Sequence, residues 1–453
     1  MKDNSGESIL VFGKMQKILF LLCGGGWGIS MGIQVSLGIL LNEIYNEWGI
    51  TYIEQSLIPI CTMIGVFIGS YFWGILADKY GRAIAFNKVL LFIVLGIGIG
   101  VFSPDVWMLA GSYLITGFGI GGSFTVDGNV FLEYCPLEKQ YLLTGISVLS
   151  AVGASIPAAL ALAFNSVSDF YRWRFIQGAL GIIALLLSLP RFCIKETPTF
   201  LISRHKLTQA LELISEINPP STPKDNLRER ILSASPRHNT KEKTSKQQLM
   251  ALTRKPVVKY TVLYIFIWFG TAFTFNGLAN FLPVILTRAG FGQTNIDLYT
   301  MMLYQQLAGI PGVILATFMV KGWFGRKKTL ALSLYMGFGL IFCFLTSNYW
   351  ALLILSLLYF FFENMFYAVM FCISPETFPP EVRNTAIGIF GSANTVASII
   401  APLIAGIILD NTSDNLIFTI AFSTSILLAA VCSTWSVETR NFDPESFGKL
   451  DFS

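Results

Sequence analysis

Apolar runs of about 18–25 residues alternate with short polar turns along the chain, and each run is long enough to cross a hydrocarbon core about 30 Å thick as an α-helix. In the first part they lie near 16–41, 55–77, 83–102, 107–131, 143–164 and 174–192. In the second they lie near 257–282, 298–320, 329–347, 350–373, 384–409 and 416–436. The helices of a soluble bundle would each carry a polar stripe, and these runs carry none. The pattern predicts an all-α membrane protein with twelve spanning helices in two six-helix bundles. The predicted divisions are an N-terminal tail at 1–15, a first bundle at 16–192, a linker at 193–256, a second bundle at 257–436 and a C-terminal tail at 437–453.

The linker has its own pattern. Apolar residues at 207, 210, 211, 214 and 217 fit one face of a helix over 201–217, which Pro219, Pro220 and Pro223 then end. A flexible connection carrying one or two surface helices follows from this. A basic surface for anionic lipid headgroups is the sharper alternative.

The two bundles repeat one another. Gly81-Arg82 recurs as Gly325-Arg326, Glu133-Tyr-Cys-Pro136 as Glu376-Thr-Phe-Pro379, and Pro157 as Pro402, at offsets of 244, 243 and 245. Three landmarks at one near-constant offset imply two halves related by an axis along the membrane normal, an arrangement found in transporters.

Composition agrees with the membrane reading. Only 13% of residues are charged and 53% are hydrophobic, against about 25% charged in soluble domains. With the N-terminus inside, only Arg172, Arg174 and Arg288 of the 31 Lys and Arg fall outside. The first outside turn, Asn42 to Gln55, holds Glu43, Glu47 and Glu54 and no basic residue. The positive-inside bias therefore predicts an integral multi-pass protein, in the plasma membrane or an internal one, with both termini and the linker cytoplasmic.

Both histidines, His205 and His238, lie in the linker, so a proton path through the membrane would use carboxylates. The seven cysteines are scattered singly, which is neither a disulfide framework nor a metal spacing. No G-x-x-x-x-G-K-[ST] phosphate cradle and no Ser-His-Asp set is present. Neither an enzyme nor a cofactor is expected, and no nucleic-acid partner. The expected surroundings are lipid, with a small-molecule solute and, as one option, protons as cargo, and the expected state is a monomer.

Glycine stripes at Gly24, Gly28 and Gly32, at Gly65 and Gly69, and at Gly117 and Gly121 predict close helix packing. Carboxylates at mid-membrane depth are expensive and so invite a functional reading. Asp127 and Glu363 are the two such acids, and both are candidates for proton coupling. Lys88, which can snorkel, is the one basic residue expected near the membrane interior. The amides Gln34, Asn129, Asn276, Asn280, Gln305, Gln306 and Asn364, with Trp27, form the candidate solute site, because amides both donate and accept. Trp268, Tyr264, Phe273 and Phe275 could supply an apolar wall. With no cation in that set, neutral or cationic solutes fit better than phosphates or dicarboxylates.

The loop Gly74-Ile-Leu-Ala-Asp78-Lys79-Tyr80-Gly81-Arg82 resembles the G-x-x-x-D-[RK]-x-G-R signature that joins the second and third helices in the major facilitator superfamily. Glu133-Tyr-Cys-Pro136-Leu-Glu-Lys-Gln140 and Glu376-Thr-Phe-Pro379-Pro-Glu-Val-Arg383 resemble E-x-x-P-x-x-x-R of its sugar-porter-type members, the first copy with Gln140 for Arg. Glu196-Thr-Pro198-Thr-Phe200-Leu201 is similar to E-S-P-R-F-L, and Val437-Glu438-Thr439-Arg440-Asn441 to P-E-T-K-G. Val126-Asp127-Gly128-Asn129-Val-Phe-Leu-Glu133 is closer to the V-D-G-x-x-F-L-E of the synaptic-vesicle-type and fungal branch.

This resemblance implies the major facilitator fold and alternating-access transport of a small organic solute, secondary active or facilitative, with proton symport among the options. It also implies a cytoplasmic gate built from Gly74, Asp78, Gly81, Arg82, Glu133, Gly325, Arg326, Glu376 and Arg383, whose ion pairs hold the outward-open state. Three positions depart from the family pattern: Gly322 stands where the second loop has its aspartate, Tyr113 where the fourth helix has its arginine, and Ser30 where many relatives have an aspartate. The alternative is a membrane sensor or scaffold on the same fold that moves nothing.

Overall fold

The computed structural model describes residues 10–136, 139, 142–204, 206–217, 245–254, 257–291, 294–322, 324–413, 415–436 and 438–439. The tails at 1–9 and 440–453, the linker stretch 218–244 with its prolines, and Gln140 and Val437 of the motifs lie outside the described residues.

Helices form where the apolar runs were. The first six are α1 (Lys14–Trp48), α2 (Tyr52–Tyr80), α3 (Arg82–Val101), α4 (Val106–Tyr134), α5 (Leu142–Ala163) and α6 (Asp169–Ser188). The linker contributes α7 (Pro198–Ser203), α8 (Leu207–Ile217) and α9 (Ser245–Leu252). The second six are α10 (Val257–Arg288), α11 (Asn295–Lys321), α12 (Gly325–Leu340), α13 (Tyr349–Glu376), α14 (Pro380–Asn411) and α15 (Asn415–Thr434). Twelve of these are long and apolar enough to span a membrane. Several run past the apolar stretch because charged residues continue the helix beyond it.

Glycine stripes determine how the helices pair. A Cβ on Gly65 would lie 2.2 Å from Leu114 O, and one on Gly117 would lie 2.1 Å from Thr62 O, so α2 and α4 touch backbone to backbone. The α1 stripe meets α5 in the same way, where a Cβ on Gly32 would stand 2.8 Å from Gly153 O. In the second half Gly312 of α11 lies against Phe361 O of α13. Close backbone approach of this kind maximises van der Waals contact, which drives helix association where lipid competes equally for apolar surface.

The halves meet along α1 with α10, α2 with α14, and α5 with α11. Two ends can be distinguished. The motif end carries the α2–α3 and α11–α12 loops, and the distal end carries the turns α1–α2 and α10–α11.

One expectation fails at Arg191. At the end of the sixth run it was counted with the inside-facing basic residues, and Lys88 was the one basic residue expected near the membrane interior. Instead α6 continues as a 3₁₀ turn, Leu189–Cys193, which carries Arg191 inward until it is 0% exposed. There its Nη1 and Nη2 each donate to an Asp127 oxygen at 2.8 Å. It also donates to Leu22 O at 2.9 Å and Phe86 O at 3.3 Å, and its guanidinium stacks on the Phe86 ring. Ser123 donates to Asp127 from one turn away at 2.8 Å. The pair thus joins α1, α3, α4 and the end of α6. Gly26 is required beside it, since a Cβ there would lie 2.1 Å from Arg191 Nη2.

Breaking a buried ion pair by removing one partner leaves the other charge uncompensated, at a cost of about 3–5 kcal/mol. Asp127→Asn should therefore lower stability by roughly that amount in detergent denaturation, and the double change Asp127→Leu with Arg191→Met should recover most of it. A loss under about 1 kcal/mol in the single variant would show that the pair does not hold this bundle together.

Candidate functional site

Facing side chains of α10 and α13 form an aromatic wall. Phe275 meets Tyr367 edge-on at 5.8 Å between ring centroids, and Trp268 meets Phe371 at 5.3 Å. Trp268 Nε1 donates to Ser374 Oγ at 3.1 Å, which fixes the indole. Tyr264 and Phe273 do not join this wall. Tyr264 is buried and bonds Thr377 at 2.9 Å, and Phe273 stacks on Phe422 of α15.

The candidate amides divide into groups. Asn276 Nδ2 donates to Ser398 Oγ at 2.9 Å, linking α10 to α14, and Asn280 Nδ2 donates to Asn276 O at 2.7 Å. Gln305 Nε2 donates to Ser356 Oγ at 3.0 Å, linking α11 to α13, with Gln306 buried beside it in sequence. Asn364 rests against Gly309 and donates to Phe360 O at 3.0 Å. On α1, Gln34 is half-buried and donates to Ser30 O at 3.4 Å, and Trp27 donates to Ser123 O at 3.3 Å.

Asn129 stands apart. It is exposed near the motif end, in a cavity of about 50 Å³ lined also by Gly74, Asp78 and Arg82. Depth along α4 had suggested mid-membrane, but Asn129 is only one turn before Glu133.

Glu363 lies on α13 one turn before Tyr367. It is 2% exposed and its Oε2 is sealed without a hydrogen-bond partner. Asp127, the other acid considered for proton coupling, is matched to Arg191 instead.

The motif end has the same construction in each half. Arg82 pairs with Glu133 at 2.6 Å and with Asp78 at 3.2 Å, and Arg326 pairs with Glu376 at 3.1 Å. Glu196 accepts from the backbone N–H of Arg82 at 2.9 Å, and Glu438 accepts from that of Arg326 at 2.9 Å. Each glutamate thereby caps the positive end of the helix that follows the loop. Gly81 and Gly325 have φ of 123° and 79°, and Cβ atoms on them would lie 2.2 and 2.4 Å from the capping carboxylates. Each of these ion pairs stays within its own half, so they do not reach across the mouth as the gate reading required. Arg383 donates to Phe378 O at 3.4 Å and makes no ion pair among the described residues.

At the distal end the contacts cross between halves. Arg172 of α6 pairs with Glu43 of α1 at 3.0 Å, and the Tyr299 hydroxyl of α11 donates to the same carboxylate. Asp410 of α14 accepts from the N–H groups of Tyr52 and Ile53, the first residues of α2, at 2.9 Å each. Gly38 of α1 approaches Ala279 O of α10 so closely that a Cβ would lie 2.6 Å away.

Sequence comparison matches residues 26–448 to the model of a family described as sugar (and other) transporters. The chain belongs to that family. It is 30% identical to a protein named MFS siderochrome iron transporter 1 from Ceriporiopsis subvermispora, over 87% of this chain and 82% of that one. The niacin transporter NiaP of Acinetobacter baylyi is 25% identical over 97% and 98%. Its fold matches that of the xylose transporter XylE from E. coli with a TM-score of 0.77, at 15% identity, over 95% and 99% of the two chains. The protein is thus a multi-pass membrane transporter of small organic solutes with the major facilitator fold.

Within this sugar-transporter family member, sequence reasoning gave no role to Glu196, Glu438, Arg191, Tyr299 or Asp410. A signal did exist for the first two. Glu196-Thr197 and Glu438-Thr439 are separated by 242 positions, close to the offset of the other repeated landmarks. Thr439 Oγ1 donates to Glu376 at 2.5 Å, which ties the second segment to the second ion pair. For Tyr299 and Asp410 there was none, because a contact between halves leaves no periodic trace in one chain.

Gly325→Ala combines a strained φ with a clash against Glu438, each of order 1–3 kcal/mol. It should lower the melting temperature by several degrees, whereas Gly98→Ala, with no neighbour within 4 Å, should leave it unchanged. Equal effects of the two substitutions would rule out the capping account.

Proposed function

We propose that this transporter works by alternating access, with the motif end in the cytoplasm, and that the arrangement described here is closed at the distal, outer end. The observation that supports this most is the distribution of polar contacts. Glu43–Tyr299 and Asp410 with α2 cross between halves at the distal end; toward the motif end an exposed Tyr71–Ser392 hydrogen bond also crosses, while the ion pairs named there join residues of one half each. The excess of Lys and Arg at the motif end supports the orientation. The amides Asn276, Asn280, Gln305 and Asn364 with the α10–α13 rings are the proposed solute site, and Gln34 of α1 is assigned to it from the first half, whereas Trp27 is held by Ser123 within that half. Coupling to protons, where present, is assigned to Glu363, since the charge of Asp127 is already neutralised by Arg191. The relatives' names span siderochrome iron and niacin, so family membership selects no single solute.

Reconstituted vesicles loaded with unlabelled solute and offered a panel of radiolabelled sugars, pyridines and amines should show counterflow for at least one class. Binding without counterflow for every class would favour a sensor over a transporter. For the closure, Tyr299→Phe removes the hydroxyl that joins the halves, a bond to a charged group worth about 1.5–3 kcal/mol. A cysteine placed at the half-buried Gln34, on α1 behind the closed end, should then react with an outside maleimide several-fold faster than in the parent carrying that cysteine alone. Unchanged labelling would remove Tyr299 from the gate.

A further inference from the structure

Among the described residues, the acids buried or capping at the helices of this protein are matched with one exception. Asp127 has Arg191, Glu43 has Arg172, Glu47 has Arg174, Glu133 has Arg82 and Glu376 has Arg326. Asp410 has two backbone N–H donors, and Asp105 and Asp297 belong to helix N-terminal caps. Glu363 is buried to the same degree and, among the described residues, has neither a cation nor an N–H group, and its Oε2 has no hydrogen-bond partner.

The surroundings supply no counter-charge. On α13 itself Tyr359 and Tyr367 stand one turn to either side, and Cys343 of the 3₁₀ segment Ile341–Leu345 lies beside Tyr359. On α12, which packs on α13, Tyr335 faces outward and the basic residues are confined to the first turn. The other neighbours, α10, α11 and α14, have no ionisable side chain over 265–287, 305–320 and 384–409. A lone carboxylate at this depth must hold a proton or a mobile cation, because an unmatched charge in the membrane interior costs at least about 2.5–3.5 kcal/mol.

We propose that Glu363 is one site shared in turn by a proton and by the ammonium or pyridinium group of an organic cation, so that the protein exchanges one for the other. Aromatic rings at Tyr367, Phe275, Trp268 and Phe371 pair between α10 and α13, those of α13 one and two turns beyond Glu363, and ring faces attract large, weakly hydrated cations. An inorganic divalent ion fits poorly, since it needs six or more oxygen ligands and no cluster of three acidic, His or Cys side chains occurs among the described residues. The exchange balances. As the cation arrives, the Glu363 carboxylic acid releases its proton to water and becomes the carboxylate that faces the cation; on departure of the cation a proton from the other side takes its place. One positive charge replaces another, so the membrane interior never holds an unmatched charge, and net transport is electroneutral. Cotransport of a proton with a cation in the same step would need a second unmatched acid, and the described residues offer none.

The proposal rests on the transport reading, and two measurements separate them. In weakly buffered detergent solution, binding of 1-methyl-4-phenylpyridinium should release close to one proton per cation near neutral pH. Glu363→Gln should abolish both binding and release, while Glu363→Asp should retain them with weakened affinity. In vesicles, an inside-acid gradient of one pH unit should drive accumulation of the same probe about tenfold, unaffected by clamping the membrane voltage. Glu363→Gln is a neutral replacement for an unpaired acid, so it should keep its parent's melting temperature. Binding with proton release but no accumulation would uphold the shared site and sink the transport reading. Gradient-driven uptake of a neutral solute, with no binding of the cation, would do the reverse. Cation binding that survives Glu363→Gln, or that releases no proton, overturns the proposal.

Discussion

A carboxylate inside a bilayer has to be met by a cation, by hydrogen-bond donors or by a proton, and much of this molecule follows from how each acid meets that demand. The most buried solution is Asp127 with Arg191, where the guanidinium also fills two carbonyl acceptors on α1 and α3. Such a pair contributes little net stability compared with apolar packing of equal volume, but it is strict about geometry. It admits one arrangement of four helices, and Gly26 is small because that arrangement leaves no room. The first half is thereby fixed as a unit able to move as a whole.

The helix starts show a division of labour between the two ends. At the distal end α2, α4, α11 and α13 are capped by the adjacent Thr51, Asp105, Thr294 and Asn348. At the motif end α3 and α12 have no local cap, and Glu196 and Glu438 arrive from segments more than a hundred residues further on. Those segments follow the last helix of each half. The cap therefore fastens the exit of each bundle to its own middle, and whatever pulls on the linker acts on the α2–α3 loop directly.

Much of this was legible beforehand. Apolar run length gave twelve helices in two sets, because only helices and closed barrels satisfy backbone groups in lipid and barrel strands are about half as long as these runs. The glycine stripes marked α1, α2 and α4 as closely packed helices, but not which partners they meet, since small residues permit contact without choosing it. Two kinds of information were missing. Arg191 was counted with the inside-facing basic residues at the end of a run, and only the 3₁₀ turn after Ser188 reveals that it points back into the bundle. Asn129 was assigned by depth along a run, and the turn of α4 sends it to the motif loop instead. The contacts that cross between halves at Tyr299 and Asp410 were invisible for a more general reason: they pair residues 256 and 358 positions apart, which no local pattern records.

The hold of Asp410 on α2 has an asymmetry with consequences for how the protein can change. Its two acceptor oxygens grip main-chain amides, which every residue except proline supplies. Side-chain drift at positions 52 and 53 therefore leaves the grip in place, and its strength is open to tuning from α14 alone. A lineage that needs a faster or slower outward opening can adjust it by replacing a single aspartate, without disturbing the half of the molecule that is being held.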